Sequence, residues 1–138
     1  MRTTSLAASA HIFEHHFRVL PEDIDVQNHA SNISYLKWVQ DAAVSHWRHR
    51  ATLEQQEAFT WVVIRHEIDY LRPAFLGQEL LAKTWIGNAT AATCERFTEI
   101  WRPSDHCLLA KAHSVWCLLD RQSFRPRRIT QDLVERFT

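Results

Sequence analysis

The sequence has no excess of either charge: sixteen lysines and arginines are matched by sixteen aspartates and glutamates. Nothing global therefore draws it to nucleic acid or to an anionic membrane. Cysteine is scarce. Cys94, Cys107 and Cys117 form an odd set with no Cys-x-x-Cys pair, which speaks against a disulfide scaffold and for a reducing compartment, the cytoplasm. No run of eighteen apolar residues occurs, so no stretch has the pattern of a membrane-spanning helix. Nine histidines are present but scattered, without a His-Glu-x-x-His or Cys-paired pattern. His15 and His16 are adjacent in a strand-like stretch and so point to opposite faces, and no metal is expected. Internal repeats and low-complexity segments are missing as well. Residues 1–10 lack an apolar core of the signal-peptide kind and read as a loose tail before one domain over residues 11–138.

What is there describes an ordinary globular domain, with 46% hydrophobic and 23% charged residues in a chain long enough to bury one core. Residues 11–20 read as a strand that stops at Pro21. From Asn32 the apolar period changes: Tyr35, Leu36, Val39, Ala42, Ala43 and Trp47 recur at steps of three and four, predicting a helix to about Arg48 or Arg50. A polar connector over residues 51–59 leads to four strand-like stretches, 60–71, 78–88, 93–102 and 107–119. Val62, Ile64, Ile68 and Tyr70 share one parity, as do Leu80, Ala82, Thr84 and Ile86. Short breaks between the stretches imply antiparallel neighbours, and the order β-α-β-β-β-β is an α+β layout with the helix on a curved sheet. A short terminal helix is expected from about Thr130.

The chemistry concentrates before the long helix, in Asp23-Ile24-Asp25-Val26-Gln27-Asn28-His29-Ala30-Ser31-Asn32. Ser31 and Asn32 are good N-cap types, and the first N–H groups of a helix lack partners where the peptide dipole is positive. Such an end can hold a developing oxyanion. A carboxylate on a loop folded over it would supply a base or a nucleophile. The plainer alternative makes Asp23 and Asp25 solvated turn residues.

The spacing Asp-x-Asp-x-x-Asn-His-x-x-Asn-x-x-Tyr-Leu resembles the signature of acyl-CoA thioesterases of the 4-hydroxybenzoyl-CoA thioesterase type. Asn28 stands where that family commonly has Gly, and Ser31 replaces the first of two paired Asn residues. Residues 61–74, with Tyr70, Arg72 and Pro73, resemble its second strand and the Tyr-x-Arg-Pro ending. The resemblance implies the hot-dog fold, thioester hydrolysis without metal or other cofactor, and a homodimer or homotetramer with sites at subunit interfaces. It also implies that Asp25 is the catalytic carboxylate, as base or nucleophile. The oxyanion donor would be the Asn32 backbone N–H. His29 would orient the loop or be structural, and Asp23 would be an orienting carboxylate.

Tyr35 could wall the pocket or belong to the core. Trp61, Val63 and Ile64 are candidates to line an acyl site, and Arg125, Arg127 and Arg128 to contact coenzyme A phosphates, since guanidinium forks suit phosphate. The expected partner is an acyl-CoA, with an acyl carrier protein ester or a non-catalytic acyl-thioester-binding module as alternatives; no nucleic acid or membrane partner is expected.

Overall fold

The computed structural model describes residues 11–138, so the tail expected over residues 1–10 lies outside the described residues. Strand β1 (Phe13–Arg18) precedes helix α1 (Asn32–Arg50), short helix α2 (Leu53–Ala58) and strands β2 (Phe59–Tyr70), β3 (Glu79–Thr90), β4 (Thr93–Arg102) and β5 (Cys107–Asp120). Helix α3 (Gln131–Glu135) closes the order. The strands form one antiparallel sheet in the order β1-β3-β4-β5-β2, with β1 and β2 at its edges. Helix α1, nineteen residues and therefore about 28 Å long, packs on the sheet. This is the hot-dog arrangement. No helix among the described residues is long and apolar enough to cross a membrane.

Each element arises from local chemistry. Ser31 caps α1, its hydroxyl accepting from the Ser34 N–H, while Arg48, His49 and Arg50 complement the negative end of the dipole. Leu80, Ala82, Thr84 and Ile86 are all buried, as their shared parity requires. Strand β2 departs from such alternation. Its register against β5 shifts between Val63 and Arg65, and this bulge moves the inward parity from Trp61 and Val63 to His66 and Ile68. Val62 and Ile64 are consequently exposed, and the single buried face expected for Val62, Ile64, Ile68 and Tyr70 is corrected to two half-faces.

The core is also divided. One apolar cluster gathers Tyr35, Trp38, Ala42, Leu80, Ile100 and Leu109 under the first half of α1. A second gathers Ala51, Ile86, Cys94, Leu118, Leu133 and Phe137 under its end. Buried polar residues of the sheet and helix, His46, Thr84, Arg96, Thr98 and Ser114, complete the interior.

Candidate active site

The segment between β1 and α1 is a small hairpin. Ile24 bridges Ala30, the Asp25 N–H donates to the His29 carbonyl, and the Asn28 N–H returns to the Asp25 carbonyl. The turn needs a left-handed residue, and Asn28 supplies it at φ 67°, which asparagine adopts more readily than most residues. Asp23 anchors the hairpin: its buried carboxylate accepts from the Leu20 N–H at 2.8 Å, and its carbonyl accepts from the Ser31 N–H and the Ser34 hydroxyl. Asp25 is different. Its carboxylate is exposed, and its one side-chain hydrogen bond among the described residues is an Asx turn to the Gln27 N–H at 2.8 Å.

The N-terminal end of α1 has donors to spare. Ser31 occupies the Ser34 N–H, whereas Asn32 and Ile33 are the first two helical positions, whose N–H groups have no acceptor within the helix. Both residues are exposed. His29 is half-buried, with Nδ1 3.1 Å from the Ala30 carbonyl and its ring edge-on to Phe75.

A cavity of about 370 Å³ opens at the other end of α1. Ala43, Val44 and Trp47 of α1, Trp61 of β2, Trp116 of β5 and Phe137 form much of its wall.

A model of the family described as Acyl-ACP thioesterase N-terminal domain matches residues 10–137. The chain belongs to this family of hot-dog thioesterases. It is accordingly a thioester hydrolase. No curated protein sequence matches it. Among solved structures the thioesterase is similar to a 1,4-dihydroxy-2-naphthoyl-CoA thioesterase from Synechocystis, at 21% identity over 87% of this chain and 90% of that one, with TM-score 0.75. A putative oleoyl thioesterase from Lactobacillus plantarum is 20% identical over 96% of this chain and 52% of its own, with TM-score 0.84. A Staphylococcus aureus protein solved in complex with CoA is 18% identical over 92% and 82%, with TM-score 0.78. At these identities the three likenesses speak for the fold alone.

The structure groups Asp25, His29 and Asn32 in the hairpin and helix start of this thioesterase. Of the other expected site residues only Trp61 lines the cavity. Tyr35 is buried in the first core cluster, its hydroxyl donating to the Arg72 carbonyl at 2.8 Å, and burial pushes that hydroxyl up to about 12. Val63 is half-buried on the strand, and Ile64, at the bulge, faces solvent with 59% of its surface exposed. Arg127 pairs with Asp120 and lies over the Phe59 ring, while Arg125 and Arg128 are exposed.

Sequence reasoning missed Arg96 and His46. Arg96 is 8% exposed, and its Nη1 donates to His46 Nδ1 and to the Thr84 hydroxyl, both at 3.0 Å. The signal was present: Arg96 shares the parity of Cys94, Thr98 and Ile100, and His46 lies three and four residues beyond Ala43 and Ala42. Burial foremost, with Arg96 beside it, holds the His46 imidazole at about 2, so it is neutral. Its Nδ1 accepts from Arg96, which leaves Nε2–H to donate to His11 Nδ1 at 3.1 Å.

Linkage gives this neutral histidine a pH signature. The unfolded chain takes up a proton near pH 6.5 that the folded protein refuses until about pH 2, so stability drops as pH falls below 6.5. The loss from this group is about 1.4 kcal/mol per pH unit. His46→Gln, which retains an acceptor and a donor without titrating, is expected to lose less stability between pH 6.5 and 4.5, measured by urea denaturation at each pH.

Proposed function

We propose that this thioesterase hydrolyses acyl-CoA thioesters, with Asp25 as its catalytic carboxylate and the Asn32 backbone N–H as oxyanion donor. The observation that carries the reading is the exposed Asp25 carboxylate in the same hairpin that delivers the chain to the open helix end. In one course Asp25 takes a proton as water adds to the thioester carbon; in the other its carboxylate attacks that carbon and water cleaves the mixed anhydride. Either way the C–S bond breaks, the sulfur leaves to become the thiol of CoA with a proton from that water (passed on by Asp25 in the first course, released on anhydride cleavage in the second), and the acyl group departs as the free acid. Preorganised donors at the developing oxyanion are worth about 10²–10³ in rate. Since that donor is main chain, changing the Asn32 side chain should matter less than changing Asp25. His29 holds the hairpin through its contact with Ala30. No metal or other cofactor enters this reading.

The working unit is a homodimer formed edge to edge through β2. That twelve-residue strand is a sheet edge, with Val62 and Ile64 exposed on it. Long apolar edges are normally covered. A two-fold axis would lay the partner's β2 antiparallel alongside, bringing the Tyr70 end of one strand to the Thr60 end of the other. The Tyr70 hydroxyl lies 3.5 Å from the Asn32 carbonyl, whereas Thr60 and Trp61 line the cavity. Each hairpin would therefore serve the cavity of its partner. The three free cysteines favour a cytoplasmic setting.

The family description favours a second reading, an acyl carrier protein ester as substrate. An acidic carrier would dock on exposed cations such as Arg125 and Arg128. Thiol release from matched acyl-CoA and acyl carrier protein esters tests both. Faster turnover of the CoA esters supports the first; turnover of carrier esters alone, weakened by Arg125→Ala and Arg128→Ala, would replace it with the second.

A further inference from the structure

The cavity at the end of α1 contains a cation without an anion. Arg96 lines it, is almost wholly buried, and has only neutral hydrogen-bond partners among the described residues, His46 and the Thr84 hydroxyl. Thr84 is itself committed, since its hydroxyl donates to the Phe97 carbonyl and lies 3.1 Å from the Thr98 hydroxyl. Burial draws the guanidinium down to about 10, so it stays charged at neutral pH. Burying a charge without a counter-charge is costly, and proteins seldom retain one idly.

The unused part of Arg96 has a particular shape. Both of its side-chain hydrogen bonds leave from Nη1, and Nε and Nη2 have no partner among the described residues. Those two nitrogens form one edge of the guanidinium, a planar pair of parallel N–H donors that matches the two oxygens of a carboxylate. Arg96 lines the cavity, so that edge can be met by what the cavity holds. A buried cation with such an edge free points to an absent acceptor.

No side chain there can be that acceptor. Glu95 is the one acid among the lining residues, and its carboxylate is held by the Asn88 N–H and His113. The two other charged lining residues, Arg48 and Arg121, add positive potential. The remaining wall is largely tryptophan, phenylalanine and aliphatic, with room for about a dozen non-hydrogen atoms at roughly 30 Å³ each. An apolar chamber with a buried cation suits a chain that is hydrocarbon along its length and anionic at its end.

We propose that the cavity receives an acyl chain ending in a carboxylate, the monothioester of a dicarboxylic acid, with Arg96 binding the distal carboxylate. This rests on the reading of the protein as an acyl-thioesterase. It assigns specificity to a residue remote from the reacting carbonyl, which is handled by the hairpin.

The test compares kcat/KM for adipoyl-CoA against hexanoyl-CoA and for octanedioyl-CoA against octanoyl-CoA, alongside calorimetric binding of octanoate and octanol to the same protein. The wild-type enzyme should prefer the carboxylate-bearing ester by about 10- to 100-fold, the range for a charge-assisted hydrogen bond. Arg96→Met should invert that ratio, and Arg96→Lys should keep part of it. Equal or better turnover of the methyl-ended esters by the wild type would overturn the proposal and leave the thioesterase reading intact. If no ester turns over, the binding arm decides: octanoate bound far more tightly than octanol upholds an anion-binding cavity while the catalytic reading falls, and equal binding sinks both.

Discussion

Asp25→Asn is expected to lower kcat/KM for the best acyl-CoA ester by about 10²–10⁴, the usual contribution of a positioned base, while shifting the melting temperature little. The substitution separates chemistry from architecture. Asparagine keeps an oxygen for the Gln27 N–H that holds the turn, and the side chain sits in solvent, so the hairpin has no reason to change. What disappears is the ability to take a proton or attack a carbonyl. Asp23→Ala should behave in the opposite way. Its carboxylate is buried against the Leu20 N–H, and removing the acceptor leaves a buried donor unsatisfied, at a cost of about 1–3 kcal/mol in stability. Thiol-release kinetics and thermal melts of the two variants would settle the division. An Asp25→Asn enzyme with parental turnover would remove Asp25 from the mechanism.

Activity should also be recoverable by mixing two inactive proteins. Asp25→Ala lacks the carboxylate, and Val44→Trp is expected to plug the cavity from an exposed position on α1 without disturbing the core. If the β2 edges pair as proposed, a mixed dimer joins an intact hairpin from one protomer to an open cavity from the other. Random pairing then regains about a quarter of wild-type activity, because half the dimers are mixed and each has one good site. Co-expression of the two chains under different tags provides the sample. The same geometry makes Ile64→Lys costly, since an ammonium at the centre of the paired edge should yield monomers by light scattering and a loss of turnover. Full activity in an Ile64→Lys monomer, or none in the mixture, would mean that each protomer works alone.

The start of α1, the polar loop before it and the fold were legible in the sequence because their determinants are local. Ser31 caps the helix that starts at Asn32, Asn28 suits a left-handed turn, and the three-and-four spacing from Tyr35 to Trp47 needs no partner to be recognised. The long strands declared themselves by alternation. Two features were hidden for a shared reason. The bulge at Ile64 exists only relative to β5, and a register shift leaves no mark on the shifted strand alone. Arg96 resembles any charged residue in a strand until its parity with Thr98 and Ile100 places it inward, and its neutral neighbours His46 and Thr84 come from other elements altogether. Pocket residues were hardest of all, because the cavity is assembled from α1, four strands and the segment 129–137, and Trp61 alone was anticipated.

That late segment has an evolutionary implication. Ile129, Leu133, Val134 and Phe137 form one side of the cavity, yet they stand about a hundred residues from the hairpin that bears Asp25 and share no hydrogen-bonded ladder with it. Substitutions there can resize or recharge the chamber without touching the reacting groups. A lineage could in this way exchange one acyl preference for another through changes in a nine-residue stretch, keeping its hydrolytic apparatus unaltered throughout.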